Sequence, residues 1–496
     1  MHFIVQAGGR GSRLGYLTDN KPKGLVSIDN LPVIFHLFRR YPQADYTIIA
    51  DYKLDVLSDY LSVFADGVEY RIVSSEGSTG TCAGIRKALK HIPPGQGFAL
   101  VWSDLILDRA LEIPFDGRNR IGVSCRMPCR WSYEGALLEK PSGEAGVVGL
   151  FTFPDKGFLE ENVPESGEFV RWLQETGLEF IPFDVGETEE YGLLERVPLP
   201  EEGRCRPFNR LYTDNGLIVK EGIDRQGDEL AVRERAWYSH VMGLGYRSIP
   251  RIHSICPLVM ERINGRNVYA YEMSRRQKED TLASIVGCLS DLHSLESCEA
   301  DRDSIMMAYY EKTMSRLRKV RPLIPHSEEE YINVNGRECR NVFFNEGWVR
   351  DTVERMCCPG FRLIHGDCTF SNIMLRDGRD PVLLDPRGYF GRTEIMGDPL
   401  YDWAKLYYSL YGNYDQFNLR RFRLRIDGGI DLEIASNGWE DMSDVFFEMI
   451  PGSVGEKEVR LIHSLIWLSL TTYAWDDYDS ICGAFYNGIY HMEDIS

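Results

Sequence analysis

The first 110 residues alternate short apolar runs with longer amphipathic stretches, and this alternation limits the folds that the chain can adopt. The apolar runs are HFIVQA, YTIIAD, YRIVS and FALVWSD, and the amphipathic stretches include LPVIFHLFRR and TCAGIRKALKHI. Strands that alternate with helices form βαβ units, which predict a mainly parallel sheet covered by helices on both faces. Ligands of such sheets bind beyond the carboxyl ends of the strands, where AGGRGSRL and WSDLIL fall.

The length of the chain predicts more than one domain, because 496 residues exceed the roughly 100–200 residues of a usual domain. The polar stretch PLPEEGRCR, at 198–206, marks the predicted boundary. We therefore expect a first domain at 1–200 and a second at 201–496. In the second, strand-like patterns precede largely helical sequence, which predicts a small lobe at about 207–265 and a helical large lobe at about 266–496.

Charge and composition limit the classes of molecule that the protein is expected to bind. A formal net charge of −19 argues against nucleic acid and anionic membranes, because both require a basic surface. The twelve cysteines lack paired C-x-x-C spacing and are interpreted as reduced thiols. The start MHFIVQAGG does not resemble a signal peptide, and no apolar run approaches the roughly 20 residues of a membrane span. We expect a cytoplasmic enzyme that acts on small molecules, and homo-oligomer formation stays open.

The loop after the first apolar run has the chemistry of a polyphosphate site. Its glycines, including Gly8, Gly9 and Gly11, let the backbone approach a ligand closely and expose N–H groups to an anion. Arg13 and Lys23 supply positive charge. The spacing matches neither a Walker loop nor a dinucleotide fingerprint. A solvated glycine-rich turn is the alternative that the glycines alone would allow.

GGRGSRL followed by KPKGL resembles the signature of the sugar-1-phosphate nucleotidylyltransferases. This resemblance implies that the loop holds a nucleoside triphosphate. It also implies that Arg13 and Lys23 neutralise charge while the α-phosphate is attacked. The nucleotide-binding residues that it implies are Gly8, Gly9, Gly11, Ser12, Gly80 and Thr81.

Three later stretches extend the same resemblance in the family's order: LVWSDLILD, LLEKPSGEAGVVGLFTF and FDVGETEEY. They imply that Glu139 and Lys140 bind the sugar phosphate. They also imply that Asp104 and Asp184 hold Mg²⁺, a cation that prefers a few oxygen ligands completed by water and phosphates. The chain departs from the family at Gln6 and in Glu187, which leaves the nucleotide base open among CTP, UTP and GTP.

A second phosphate-handling signature, LIHGDCTFSNIML, lies more than three hundred residues later and is followed by VLLDPRG. It places Asp367 and Asn372 on a loop between apolar segments and Asp385 at a strand end. An aspartate can orient a hydroxyl and accept its proton, while an asparagine and a second aspartate can hold the metal ions on ATP.

This signature resembles the aminoglycoside phosphotransferase and choline kinase families, relatives of the protein kinases. The resemblance implies that Asp367 is the catalytic base and that Asn372 and Asp385 bind Mg²⁺. ATP would be held by Lys220 with Glu234 as its ion-pair partner, Glu229 being a competitor for that role. The backbone from Glu261 to Ile263 would meet adenine.

The sequence also suggests roles for other positions in the second domain, and for some of them it allows two interpretations. Arg387, in DPRG, is predicted to form a structural ion pair, with a phosphate contact as the alternative. Asp398 and Asp402 are expected to brace the catalytic loop. The aromatic residues near the C-terminus could line an acceptor pocket or pack in a helical core, and they are Trp467, Tyr473, Trp475 and Tyr478.

Together the signatures predict an α/β protein that joins a Rossmann-like nucleotidyltransferase domain to a bilobal, protein-kinase-like α+β phosphotransferase domain. The expected activity is phosphorylation of a small hydroxylated acceptor by ATP, followed by nucleotidyl transfer to give an NDP-sugar, with Mg²⁺ at both sites. One alternative is a choline, ethanolamine or polyol kinase that feeds CDP-alcohol synthesis. Another is that one half only senses nucleotide.

Overall fold

The computed structural model describes residues 1–75, 77, 80–198 and 209–495, which form two compact units. The first unit comprises Met1–Pro198 and Trp475–Asp479, and the second comprises the described residues 209–474 and 480–495. The predicted boundary at residue 200 lies outside the described residues and stays a prediction. The segment Trp475–Asp479 joins the first unit, although the sequence analysis assigns all of 201–496 to the second domain.

The first unit is an α/β fold whose elements follow the predicted alternation. Its helices are α1 (Val33–Arg40), α2 (Leu54–Phe64), α3 (Cys82–Leu89), α4 (Gly157–Asn162) and α5 (Phe169–Thr176). Its strands are β1 (His2–Gln6), β2 (Ser27–Ile28), β3 (Leu31–Pro32), β4 (Asp45–Ile49), β5 (Glu69–Val73), β6 (Phe98–Trp102), β7 (Leu105–Ile106), β8 (Arg120–Ser124), β9 (Ser132–Tyr133), β10 (Leu137–Leu138), β11 (Gly146–Phe153), β12 (Ile181–Asp184) and β13 (Glu189–Glu190).

The central sheet of this unit confirms the predicted parallel arrangement. Its order is β10-β9-β11-β6-β1-β4-β5, and β8 pairs with β11 and β12. β1 pairs in parallel with β4 and β6, and β4 pairs in parallel with β5, whereas β11 is antiparallel to β6. Apolar side chains bury one face beneath α3 and α5, including Ile4, Ile85, Leu100, Phe151 and Leu173.

The sheet brings together the two loops that the sequence analysis singles out. Gln6, at the end of β1, pairs with Trp102, at the end of β6, and Ser103 donates its backbone N–H to the Gln6 carbonyl at 3.2 Å. The chain leaves β1 for β4 on one side, while β6 lies on the other side. At such a switch in strand order, adjacent loops diverge and leave a crevice for a ligand.

The second unit has the bilobal organisation of a kinase-like fold. Its helices are α6 (Arg225–Gly243), α7 (Arg275–Leu295), α8 (Arg302–Met306), α9 (Lys312–Val320), α10 (Glu346–Arg355), α11 (Leu400–Leu410), α12 (Tyr414–Asn418), α13 (Ser443–Met449), α14 (Glu456–Leu470) and α15 (Tyr478–Met492). Its strands are β14 (Asn209–Asp214), β15 (Leu217–Gly222), β16 (Ile252–Ser254), β17 (Leu258–Glu261), β18 (Gly265–Asn267), β19 (Ser297–Cys298), β20 (Tyr331–Val334), β21 (Arg337–Arg340), β22 (Phe361–Leu363), β23 (Ile373–Arg376), β24 (Asp380–Leu383), β25 (Met396–Gly397), β26 (Phe422–Ile426) and β27 (Ile430–Ile434).

The small lobe is an antiparallel sheet of order β14-β15-β17-β16 that packs against α6. Asn215 and Gly216 both have positive φ, 49° and 79°, and form the tight turn between β14 and β15. Asn-Gly is the dipeptide that such two-residue hairpins favour. Asp224 caps α6 by accepting from the Gly227 N–H at 2.8 Å.

The large lobe is mainly helical, with a small hairpin that carries the second signature. β23 and β24 are antiparallel, and they place the loop before β23 next to the loop after β24. Buried side chains of α7, α11 and α14 form its core, including Leu289, Tyr407, Ile462 and Trp467. Trp467 thus packs in the helical core, which is one of the two alternatives predicted for it. Over the described residues, no helix is long and apolar enough to cross a membrane.

Candidate active sites

In the first unit, the glycine-rich loop begins directly after β1. A side chain at Gly8 would bring its Cβ within 2.7 Å of an Asp51 carboxylate oxygen, so only glycine fits there without rearrangement. Gly11 has a φ of 67° and precedes the 3₁₀ helix Ser12–Thr18. Gly9 and Ser12 are exposed on the same loop.

Lys23 and Asp104 form the central ion pair of this unit. The Lys23 Nζ lies 2.9 Å from Asp104 Oδ2, and Asp104 is only 4% exposed. Its other oxygen, Oδ1, is buried and has no hydrogen-bond donor among the described residues. A buried carboxylate oxygen without a partner is costly, so this atom is suited to binding a cation.

The structure places Glu190 beside Asp104, where the sequence analysis expects Asp184. β13 pairs with β7, which puts Glu190 opposite Leu105. Burial, together with the Asp104 carboxylate, raises the pKa of Glu190. Arg13 is largely exposed, and its guanidinium lies 3.8 Å from Glu190. Asp104, Glu190 and Arg13 all approach Gly192, whose missing side chain leaves them room.

Asp184 is not paired with Asp104 in the structure. It is exposed at the end of β12, and its Oδ1 accepts from the Gly186 N–H at 3.0 Å. The D-x-G spacing therefore gives a tight local turn at this position. The carboxylate beside Asp104 comes instead from Glu190 of the short strand β13, which lies inside the stretch FDVGETEEY but was not singled out there.

Gly80 and Thr81 contact the segment that leads into α5. A Cβ at Gly80 would lie 2.2 Å from the Gly167 carbonyl oxygen, and the φ of Gly80 is 87°. Thr81 Oγ1 accepts from the Phe169 N–H at 2.8 Å. Both residues thus make close intramolecular contacts, and the structure does not join them to Lys23 or Asp104.

Glu139 is neutralised by two arginines of the same unit. Arg171 contacts both carboxylate oxygens at 2.9 Å, and Arg130 forms a further charge-assisted hydrogen bond. Hydrogen bonds from Arg130 and Arg171 lower the pKa of Glu139. Lys140 is exposed. A sugar that binds Glu139 would share it with these arginines.

In the second unit, the Asp402 carboxylate holds the backbone of the HGD loop in place. The backbone N–H groups of His365 and Gly366 donate to its two oxygens at 2.8 and 2.7 Å. His293 adds a contact of 3.0 Å to the same carboxylate. Asp402 has no exposed surface, and the expected bracing role matches these contacts. Asp398, which is also buried, accepts from the Tyr309 hydroxyl at 3.0 Å.

Asp367 lies between an amide and an ammonium. Asn372 Nδ2 donates to Asp367 Oδ2 at 3.0 Å, and Lys405 Nζ lies 2.9 Å from Oδ1. Burial opposes ionisation, but Lys405 and Arg387 lower the pKa of Asp367 below its ordinary value. The carboxylate is therefore charged and can orient a hydroxyl group.

Lys220 joins the two lobes of the second unit. It extends from β15 and contacts Glu234 of α6 at 2.9 Å and Asp385 at 2.6 Å. Burial would lower the pKa of Lys220, but the two carboxylates outweigh it and raise the pKa. Glu229, the competitor for this pairing, instead contacts Arg225 at 3.1 Å.

The predicted adenine segment follows β17. The Glu261 N–H donates to the Arg251 carbonyl at 2.9 Å, and the Glu261 carboxylate bonds to the Arg251 N–H and to Arg376. Ile263 is half-buried. The Glu261 side chain therefore closes the strand end, and the adenine contact of the backbone from Glu261 to Ile263 stays a prediction.

Arg387 does not form the predicted structural ion pair. Its guanidinium donates to the Tyr401 hydroxyl at 2.6 Å and to the Tyr389 hydroxyl at 2.8 Å. Within the described ranges, no carboxylate lies within ion-pair distance of it. The alternative role of Arg387, contact with a phosphate group, stays a prediction.

The metal ligands expected at both sites come in small sets. In the described part of the chain, no group of three or more His, Cys, Asp or Glu side chains could hold a metal ion. Asp104 offers one unpaired buried oxygen, and Asp385, about half exposed, offers another carboxylate. Such sets suit Mg²⁺, which takes its remaining ligands from phosphates and water.

Comparisons with known proteins assign the two parts of the chain to different families. Residues 3–111 match the family model of the MobA-like NTP transferase domain, and residues 210–433 match the phosphotransferase enzyme family. A UTP–glucose-1-phosphate uridylyltransferase of Haloferax volcanii is 26% identical over 181 residues, which cover 31% of this chain and 72% of the relative.

Solved structures resemble the N-terminal part of the chain. The inositol-1-phosphate CTP transferase of T. maritima is 19% identical, with a TM-score of 0.32, over 40% of this chain and 91% of its own. The CTP:phosphocholine cytidylyltransferase of Streptococcus pneumoniae is 17% identical, with a TM-score of 0.30, over 39% and 94%. From the family matches, the chain is a fusion of a nucleotidyltransferase domain of the MobA-like NTP transferase type with a domain of the phosphotransferase enzyme family.

Proposed function

We propose that the two units catalyse consecutive steps. The second unit transfers the γ-phosphoryl group of ATP to a hydroxyl group of a small sugar. The first unit then transfers a nucleotidyl group from CTP, UTP or GTP to the new phosphate, giving an NDP-sugar and pyrophosphate. The observation that carries this proposal is that one chain holds both Lys23–Asp104 and the set Lys220–Glu234–Asp385 with Asp367.

The kinase step uses positioning and charge. Asp367 accepts the proton of the acceptor hydroxyl group while the oxygen of that hydroxyl group attacks the γ-phosphorus. The bond from the γ-phosphorus to the β-γ bridging oxygen then breaks, which releases ADP. Lys220 binds the phosphates of ATP. Asn372 and Asp385 would hold Mg²⁺, which would neutralise the charge of the triphosphate. The Asn372 amide nitrogen is used by Asp367, which leaves its carbonyl oxygen for a cation.

The nucleotidyl step requires no general base. An oxygen of the acceptor phosphate, already anionic, attacks the α-phosphorus in line, and the bond to the α-β bridging oxygen breaks to release pyrophosphate. Lys23 and Arg13 stabilise the charge on the transferring group. Asp104 would hold Mg²⁺ through its unpaired oxygen.

A sugar is the favoured acceptor class. The named relative from Haloferax volcanii is a glucose-1-phosphate enzyme, and the E-K-P stretch at Glu139 resembles the sugar-binding stretch of sugar-1-phosphate enzymes. The contacts around Asp367 offer no separate support for an amino-alcohol. We therefore place the phosphorylated hydroxyl on a sugar.

Two single substitutions in the full-length chain test the assignment. Asp367→Asn should abolish ADP formation with acceptor and leave pyrophosphate release from supplied sugar 1-phosphate intact. Asp104→Asn should do the reverse. The exposed Asp351→Asn and Asp66→Asn serve as controls for charge removal. If either active-site variant remains folded yet loses both reactions, the two sites are not independent and the proposal fails.

A further inference from the structure

Four basic side chains lie close together in the second unit, and one of them contacts Asp367: they are Lys312, Arg316, Arg387 and Lys405, hereafter the cation cluster. Lys405 contacts Asp367 directly at 2.9 Å, and Arg387 is close enough to lower its pKa. Lys312 and Arg316 lie four residues apart on α9, so they share one face of that helix. Asp367 is also close enough to Lys312 to oppose the lowering of the pKa of that lysine.

The arginines of the cluster are held by neutral groups. Arg316 donates to the carbonyl and hydroxyl oxygens of Ser469 at 2.8 and 2.7 Å, and its guanidinium stacks 4.3 Å from the Tyr473 ring centre. Arg387 donates to two tyrosine hydroxyls. These bonds fix the positions of the guanidinium groups without neutralising them.

Lys312 forms no ion pair with any residue that the structure describes. Across the described residues it makes no hydrogen bond or ion pair, although its side chain is only partly exposed. Burial, with Arg387, Arg316 and Lys405 close by, lowers the pKa of Lys312 well below its ordinary value. It follows directly on a π-helical turn at Met307–Glu311, an irregularity that is frequent at functional sites.

This arrangement costs stability in the free protein. Partly buried like charges repel one another, and a partly buried cation that makes no ion pair carries a desolvation penalty. Folding alone would favour neutral side chains on this face of α9. A bound anion would remove both penalties, because guanidinium and ammonium groups form their strongest hydrogen bonds with carboxylates and phosphates.

The triphosphate of ATP does not account for the whole cluster. The residues proposed for ATP and its metal are Lys220, Asn372 and Asp385, and Lys220 contacts only carboxylates. Asp367 bonds to Asn372 on that side and to Lys405 on the other. Asn372 of the proposed ATP site and Lys405 of the cation cluster thus contact different oxygens of the catalytic carboxylate.

The cation–π contacts of the nearby tyrosines disfavour a quaternary ammonium or amine ligand. The ring of Tyr389 is covered by Arg233 at 4.7 Å and Arg387 at 4.4 Å, and that of Tyr473 by Arg316. Aromatic rings that already stack on guanidinium groups offer less free surface for a cage around choline. The net positive charge repels such a ligand further.

We propose that the acceptor of the kinase step carries an anionic group, a phosphate or a carboxylate, which Lys312, Arg316 and Arg387 bind while Asp367 faces the hydroxyl group. This inference rests on the proposed function and narrows its substrate to a phosphorylated sugar or a sugar acid. After the transfer, the acceptor bears two anionic groups.

Calorimetric titration of the full-length protein tests the anion site separately from catalysis. Saturating Mg²⁺ and the non-hydrolysable ATP analogue AMP-PNP fill the nucleotide site, and the probes are inorganic phosphate, glucose 6-phosphate and glucuronate. At least one probe should bind, and Lys312→Met with Arg316→Gln should weaken it by at least about tenfold. Replacing Arg316 by lysine instead of glutamine keeps the positive charge and should recover part of the affinity for the probe.

The control is Arg318→Gln, on the same helix but paired with Glu346 at the surface. It should leave binding unchanged, and thermal melting of each variant checks folding. If no probe binds, or if the double variant binds as tightly as the wild type, the anion site is wrong.

Turnover then separates the ligand classes. Glucose, mannose, galactose and N-acetylglucosamine are compared with their 6-phosphates, with the uronic acids and with choline and ethanolamine, by ADP release. A kcat/KM at least about tenfold higher for a phosphosugar or for a sugar acid names the source of the anion. A neutral sugar or an amino-alcohol as the better acceptor overturns the inference and leaves the kinase assignment standing. Anion binding through the cluster without ADP release for any acceptor supports the site and counts against the proposed kinase activity.

Discussion

At the scale of residues, two ion pairs join residues that the sequence analysis names, whereas the position of Glu190 beside Asp104 was not predicted. Lys23 with Asp104 and Lys220 with Glu234 lie far apart in sequence or on separate elements, yet each could be named from its motif. Glu190 could not, because its place beside Asp104 depends on the two-residue pairing of β13 with β7. Short pairings of this kind leave no periodic pattern in the sequence.

Glu190 provides a test of the metal ligands in the first unit. We expect Glu190→Gln to raise the Mg²⁺ concentration needed for half-maximal nucleotidyl transfer by about tenfold or more, because a carboxylate near Asp104 is lost. Asp184→Asn should have the smaller effect, since Asp184 is exposed and bonds to Gly186. The measurement is pyrophosphate release over a Mg²⁺ series. A larger effect at Asp184 would return the second ligand to the D-x-G position.

Asp415 gives a prediction for pH. It is buried, accepts from the Ser371 N–H at 2.8 Å, and burial raises its pKa to about 6. A carboxyl group whose folded pKa exceeds its unfolded value of about 3.9 binds protons more tightly when folded. Its contribution therefore favours the folded state below about pH 4 and is lost as the pH rises through about 6.

The variant Asp415→Asn lacks this dependence. Relative to the wild type, its free energy of unfolding should increase by about 1–3 kcal/mol between pH 4 and pH 7. Denaturant unfolding at several pH values measures the difference, and the exposed Asp427→Asn is the control. Parallel pH curves for the wild type and Asp415→Asn would show that the pKa of Asp415 is the same in the folded and unfolded states, which contradicts the prediction.

At the scale of elements, apolar alternation predicted the parallel strands β1, β4, β5 and β6. The hairpin of the small lobe was not predicted, although its Asn-Gly dipeptide at positive φ favours such a turn. The basic face of α9 was missed, because KTMSRLRK reads as an ordinary solvated helix. Only the fold brings Lys312 and Arg316 to Asp367.

The loop that carries Lys23 also depends on a distant element. Lys21 is 2% exposed, lies 2.9 Å from Asp477 Oδ1 and contacts Asp479, both in the segment Trp475–Asp479 of the first unit. Lys21→Met leaves two buried carboxylates without a cation and should destabilise the first unit by about 3–5 kcal/mol. Adding Asp477→Asn and Asp479→Asn should recover part of this loss, because no uncompensated charge remains.

Denaturant unfolding, followed by loss of nucleotidyl transfer, measures this effect. The exposed Lys90→Met is the matched control and should shift stability by no more than about 0.5 kcal/mol. If Lys21→Met behaves like Lys90→Met, the segment Trp475–Asp479 does not stabilise the loop. If the triple variant is less stable than Lys21→Met, the charge argument is wrong.

At the scale of the whole molecule, the sequence predicted two phosphate-handling domains, and the family matches confirm them. It did not predict that residues 475–479 belong with the first unit, because Trp475 and its acidic neighbours follow a helical region without a break in composition. Trp475 packs against Phe35 and Phe64 there, with ring centres 5.6 and 5.7 Å apart. Contacts between residues more than four hundred positions apart are set by topology.

The central claim is that the phosphate installed by the second unit becomes the phosphate that the first unit uses. Its most direct test is to supply the full-length protein with Mg²⁺, ATP carrying ¹⁸O in the γ-phosphoryl group, unlabelled CTP, UTP and GTP, and the panel of sugars, sugar phosphates and sugar acids. Mass spectrometry then locates the label. The account predicts an NDP-sugar whose sugar-linked phosphate retains the heavy oxygens. A nucleotide sugar without label in that phosphate, or label found only in inorganic phosphate, would contradict it.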